Sequence, residues 1–149
     1  MNREGQSDRL NLRELKKNII YFVASYVSLS KKYMFLNLAH TKLDIFNVSK
    51  AFVLECYKQT KNFPTEERYA LTQQIRRAAL SVHLNIAEGC SRKSEAERKR
   101  FYEIARGSII EIDAALDIAV ALNYISKEKL LEAGELMVRC FQMISKMIV

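Results

Sequence analysis

From Leu12 onward, apolar residues recur at alternating steps of three and four: Leu12, Leu15, Ile19, Phe22, Tyr26, Leu29 and Tyr33. A helix turns by about 100° per residue, so this spacing keeps one stripe and predicts a helix that packs on another helix. Four more helices follow. Ile45, Val48 and Phe52 give the inward face of one over residues 43–60. Asn62-Phe63-Pro64 breaks it, because a residue before proline is pushed out of the helical region. Thr65 then stands as an N-cap, with Glu66 and Glu67 in a first turn whose dipole favours acids. This second helix is expected to run to Ala87 or Glu88, and Gly89 suits a left-handed position past its end. Ser94-Glu95-Ala96-Glu97 has the pattern of a capping box and opens a third helix over 95–122. Phe101, Ala105, Ser108, Ile112, Ala115, Ala119 and Leu122 make its inward face. Ser126 caps a fourth helix over 127–148, with Leu130, Ala133, Met137, Phe141, Ile144 and Ile148 as its stripe.

Short connections between long helices make antiparallel neighbours. The expected fold is all-α: an antiparallel up-and-down four-helix bundle over 42–149, with an additional N-terminal helical segment over 1–41. A second reading makes residues 1–33 an upstream extension and Met34 the natural start. Only four glycines and one proline serve the whole chain, which suits few, long elements and disfavours a turn-rich β fold.

The second helix carries more than one stripe. With Ile75 at zero, Leu71, Ala79, Val82 and Ile86 share its core side. Tyr69, Leu80, Leu84 and Ala87 fall at about 140°, too far round for one bundle core to cover. Ile110, Ala114, Ile118 and Ala121 lie off the inward face of the third helix in the same way. Exposed apolar stripes mark interfaces, and self-association is expected; the competing reading is that the N-terminal helix covers the second stripe. Gln74, Arg77, Ser81, Asn85 and Glu88 form a polar stripe at about 240°. It is short-chained and amide-bearing, which suits ordered hydrogen bonds to a neighbouring element. Arg76 and His83 share the border between the apolar stripes. Arg76 must snorkel or find a carboxylate there, and Glu111 is the candidate partner, since it flanks the inward face of the third helix.

Charge adds a direction. The net charge is +7, with +4 in residues 1–41, +1 in 42–60, +4 in 61–106 and −2 in 107–149. The most basic stretch, SRKSEAERKR, sets Arg92 and Lys93 before a helix start and Arg98, Lys99 and Arg100 in its first turns. Free amides and cations together attract phosphate, so these five residues are the candidate nucleic-acid contacts. Glu95, Glu97 and Glu103 sit among them, and the competing reading is a self-neutralising solvated surface.

Catalysis is not expected. His83 points about 140° or more away from Asn85 and Glu88, out of reach of a shared proton transfer. No nucleophile elbow, phosphate loop or metal-binding HExxH occurs, and no metal or cofactor is expected. Cys56, Cys90 and Cys140 are odd in number and far apart, which favours a reducing cytoplasm over a disulfide framework. No run of eighteen apolar residues occurs, so no membrane span is expected. The stretch 19–29 after Lys16-Lys17 is signal-like, but it lacks a small-residue cleavage site.

The runs FPTEERYALTQQIRRAALSVHLNIAEGCSRKSE and FYEIARGSIIE resemble the four-helix bundle proteins encoded in 23S rRNA intervening sequences. That family is similar to the accessory variability proteins of diversity-generating retroelements. The resemblance covers residues 40–149 and is vaguer in the last helix. It implies a bacterial, cytoplasmic bundle that assembles as a ring-like homopentamer, without enzymatic activity. It also implies association with nucleic acid and, by analogy with the retroelement relatives, a reverse transcriptase. On this reading Gln74, Arg76, Arg77, Asn85, Glu88, Gly89 and Glu111 are assembly or packing positions. His83 stands where the family often has proline, so a kink there is not expected. The alternative function is a protein-interaction module with no nucleic-acid role. A membrane-surface role for the N-terminal helix is weaker, since that helix lacks a clear basic face.

Overall fold

A computed structural model describes residues 14–25, 36 and 38–148. The chain divides into two units, Met1–Asn37 and Leu38–Val149. In the first, residues 14–25 form helix α1, which carries Leu15, Ile19 and Phe22 of the N-terminal stripe. Leu12, Tyr26, Leu29 and Tyr33 of that stripe lie outside the described residues. The second unit holds α2 (Asp44–Gln59), α3 (Leu71–Ser91), α4 (Glu95–Ala121) and α5 (Leu131–Ile148). No strand occurs among the described residues. The fold is all-helical: a bundle with an extra helix.

The four body helices pack as a closed square. α2 lies against α3 and α5, α4 lies against the same two, and the α3–α4 contact is the most extensive. Phe52, Ile75, Val82, Ile86, Ile112 and Ile144 are fully buried between them. Each such side chain contributes roughly 1.5–3 kcal/mol by leaving water. Ala79, Ala105 and Ala119 are also buried, and their small side chains let the helix backbones approach. Cys56 and Cys140 sit in this core as free thiols. On the flank, Lys58 Nζ joins α2 to α5 through Glu55 at 3.0 Å and Glu132 at 3.1 Å.

Several helix ends differ from the sequence expectation. The segment Thr65–Tyr69 is a 3₁₀ turn, and the α-helix begins only at Leu71. Thr65 makes no capping bond; the Glu67 carboxylate instead accepts the Leu71 amide at 3.2 Å and the Tyr124 hydroxyl at 3.1 Å. One acid thereby starts α3 and ties it to the α4–α5 connection. Ser94 stands at the N-cap of α4 without a side-chain capping bond. Ser126 precedes a 3₁₀ turn, Lys127–Leu130, so α5 starts at Leu131. Gly89 lies inside α3, and no described glycine has positive φ. The left-handed residue is Asn123, with φ of 59°, just past α4. Asparagine tolerates that conformation better than other residues with a Cβ.

The inward face of α4 is rotated from the expected one. Ala105, Ser108, Ile112 and Ala119 are buried as expected, and Tyr102, Ile109 and Leu116 join them. Phe101 is half-buried and Leu122 is exposed. In α5, Ala133 and Ile144 are buried, while Cys140 takes the core place expected of Phe141.

Candidate nucleic-acid interface and assembly faces

The polar stripe of α3 faces α4. Gln74 Nε2 donates to Glu111 Oε1. Two turns on, four groups form a directed chain. Asn85 Nδ2 donates to the Ser81 hydroxyl at 3.1 Å, and that hydroxyl lies 2.8 Å from Ser108 Oγ. Ser108 gives its own proton to the Ile104 carbonyl at 3.0 Å, which leaves Ser81 as the donor to Ser108. Every hydroxyl in the chain both gives and receives, so a polar pair is satisfied inside a helix contact. Glu88, at the end of the stripe, pairs with Arg92. Arg77 is solvent-exposed and outside this chain.

Gly89 closes the same contact. A Cβ there would lie 2.4 Å from Tyr102 Cε1 and 2.9 Å from Cδ1. The glycine is required by the tyrosine ring, not by a left-handed turn. Burial and the Cys90 thiol, 3.6 Å from its hydroxyl, push the Tyr102 phenol up from its ordinary value.

Arg76 does not meet Glu111. Gln74 takes that carboxylate, because Arg76 lies about 200° further round α3 and faces α2 instead. Its Nε donates to Thr60 Oγ1 at 2.9 Å, and its guanidinium lies 4.9 Å from the Tyr57 ring centroid. Delocalised charge over an aromatic face replaces the expected ion pair. His83 borders the same seam, 2.8 Å from Ser49 Oγ and tilted against the Phe46 ring. Ser49 already donates to the Phe46 carbonyl, so His83 Nδ1 is the donor to Ser49. Burial and then the Lys50 charge lower the His83 pKa.

The five basic candidates separate into two groups. Arg92 is held by Glu88, and its guanidinium lies 5.0 Å from the centroid of the half-buried Phe101 ring. Arg98 Nη1 donates to the carbonyls of Arg92 at 3.3 Å and Lys93 at 2.8 Å, so it clasps the α3–α4 turn. Lys93, Lys99 and Arg100 are exposed. The first pair shapes the turn, and the other three side chains face solvent.

Apolar side chains lie outside on two sides of the square. The α2–α3 side carries Leu54 (62% exposed), Tyr57, Leu80 and Leu84 (60%). The opposite α4–α5 side carries Ile110, Val138 and Phe141 around a cleft of about 470 Å³. Ile118 and the open side of Gly107 lie on the outward face of α4; no atom comes within 4 Å of a Cβ built at Gly107. Among the described residues no cluster suited to a metal ion occurs, and no helix is long and apolar enough to cross a membrane. Burial pushes the Cys56 and Cys140 thiols up to about 12, so neither supplies a thiolate near neutrality.

A crystal structure of a protein of unknown function from the S23 ribosomal protein family of Bacteroides thetaiotaomicron shares this fold. The likeness covers 70% of this chain and 97% of that one, with a TM-score of 0.63 and 20% identity. No curated protein matches the chain. The family model for the 23S rRNA-intervening sequence protein matches residues 41–146. That span takes in the whole polar seam, the basic turn and both apolar sides, so the chain belongs to the 23S rRNA-intervening sequence protein family.

Proposed function

We propose that this chain is a non-enzymatic, self-associating bundle that holds RNA on the exposed cations of its α3–α4 turn. The observation that carries the reading is the pair of apolar sides on opposite flanks of the square. Two different faces on one subunit make a heterologous, head-to-tail contact, which closes into a ring when the rotation permits. The homopentamer implied by the family likeness is one such ring. A ring repeats Lys93, Lys99 and Arg100 around its axis, and repeated weak phosphate contacts add through avidity. The family description favours RNA as the polyanion. A reverse transcriptase is the protein partner that the retroelement likeness suggests. A bacterial cytoplasm suits the free thiols.

The test is anisotropy of a labelled structured RNA at two salt concentrations, using protein stripped of nucleic acid. Binding should weaken steeply with salt, with a log–log slope of about 0.7–0.9 for each phosphate neutralised. Reversing Lys93, Lys99 and Arg100 to Glu should abolish most binding and leave helix content intact. Unchanged binding would remove this turn as the site. No binding at low salt by an assembled oligomer would turn the reading to the alternative, a protein-interaction module whose apolar sides meet other proteins.

A further inference from the structure

The turn Ala39–Lys42 is the first element of the second unit and precedes α2. It is a single 3₁₀ turn, closed by the Thr41 and Leu43 amides on the carbonyls of Leu38 and His40, both at 3.1 Å. It lies against α2 and against α3. None of its residues is buried, so little apolar surface holds it there.

What holds it is a stack of three rings. His40 of the turn makes a T-shaped contact with Phe46 of α2, with ring centroids 5.0 Å apart. Phe46 in turn lies 4.3 Å from the His83 ring of α3. Two imidazoles from two different elements thus share one aromatic ring, and they are the two histidines of the chain. A segment held by so few contacts opens at low cost, independently of the core.

The charges around the stack are cationic. Lys50 of α2 and His40 of the turn both act against a charge on His83, and burial of the ring acts with them. Lys42, at the end of the turn, is exposed. Asp44 is the acid in the first turn of α2, but it lies about 160° round that helix from Phe46. On α3 the charged residue on the His83 side is Arg76, two turns back and held by Thr60 and Tyr57. No carboxylate therefore faces the stack to stabilise an imidazolium. The His83 Nδ1 proton is already given to Ser49 at 2.8 Å, so a second proton goes to Nε2 and leaves that bond intact. The loss falls on the stack instead. One imidazolium gains some attraction from the Phe46 face, but two of them on the same ring, beside Lys50, repel one another. The closed turn excludes protons that the open one accepts, and by linkage acid favours the open form.

We infer that the Ala39–Lys42 turn is an acid-released strap: neutral His40 and His83 clamp it over Phe46, and their protonation lets it lift while the bundle stays folded. Lifting uncovers Phe46 on the α2–α3 side. The device is independent of the RNA reading above and does not rest on it.

Amide hydrogen exchange of the full chain tests this, read by mass on the peptide that carries Thr41 and Leu43 and corrected for the unstructured exchange rate at each pH. Between about pH 7.5 and about pH 5 the protection of this peptide should fall by about fivefold or more, while a peptide from the middle of α4 around Ile112 stays unexchanged over the same time. His40→Phe keeps a ring against Phe46 without a charge, and His83→Gln keeps a donor for Ser49 without a titration. The double variant should hold its protection across the same range. Wild-type protection that does not change with pH would overturn the inference. So would a fall that persists in the double variant, or a strap that exchanges only together with α4.

Discussion

Helix α3 has two flanks that reverse the usual rule. Its polar flank, Gln74, Ser81 and Asn85, lies in a helix–helix contact and is satisfied there. Its apolar flank, Leu80 and Leu84, faces water. On a surface helix of an isolated bundle the two would be exchanged. The difference is what the proposed assembly predicts, since an apolar flank left in water on one chain would be covered by another. The polar seam orients α3 on α4 through directional bonds, and on the proposed reading the apolar flank meets another subunit.

If that division holds, substitutions on the α4-facing side damage the fold and substitutions on the outward side do not. The largest effect on stability is expected at Gly89→Ala. Alanine favours a helix by about 1 kcal/mol over glycine, but overpacking against the Tyr102 ring costs about 1–3 kcal/mol. The net loss should appear as a lower denaturation midpoint. Next comes Ser108→Ala, which leaves the Ser81 hydroxyl without its acceptor. A loss of about 1 kcal/mol is expected, and a double-mutant cycle with Ser81→Ala should show coupling. An additive result would mean that the chain of hydroxyls does not act as a unit.

Gly107→Ala on the outward face should have the opposite sign. Nothing lies within 4 Å of the added Cβ, so the single chain should gain about 0.5–1 kcal/mol of helix stability. A loss of stability under dissociating conditions would place an unseen constraint there. The smallest effect concerns His83. Its folded pKa lies below the ordinary value, so the folded state binds fewer protons than the unfolded one. Its contribution to stability is complete above the unfolded value of 6.5 and is lost as pH falls toward the lower folded value. Urea midpoints between neutral and mildly acid pH should therefore decline, and His83→Gln should flatten that decline.

Much of this was legible in the sequence because the helical period is a strong signal. The stripe Ile75, Ala79, Val82 and Ile86 is the α3 core, and the angular separation of Leu80 and Leu84 correctly left them outside. Helix ends were less legible, because the groups that satisfy them come from elsewhere. The Glu67 carboxylate replaced Thr65 at the start of α3, and Tyr124, far along the chain, holds it. Gly89 looked like a terminator because the Tyr102 ring that demands it lies on another helix. Helical angles set Arg76 between two apolar stripes and Glu111 beside the inward face of the next helix, which suggests an ion pair. A Tyr57 face and a Thr60 hydroxyl were nearer, and only packing of α2 on α3 brings them there. The basic run shows its charges in the sequence but not their division of labour, since Arg92 and Arg98 are occupied by local contacts.

The most direct test of the account is the mass of the full chain in solution, measured by light scattering beside a Leu80→Glu, Leu84→Glu variant of equal helix content. The wild-type mass should be a multiple of 17.3 kDa, and the variant should fall well below it while remaining folded. Equal masses for the two proteins would show that the outward flank of α3 is not an assembly surface.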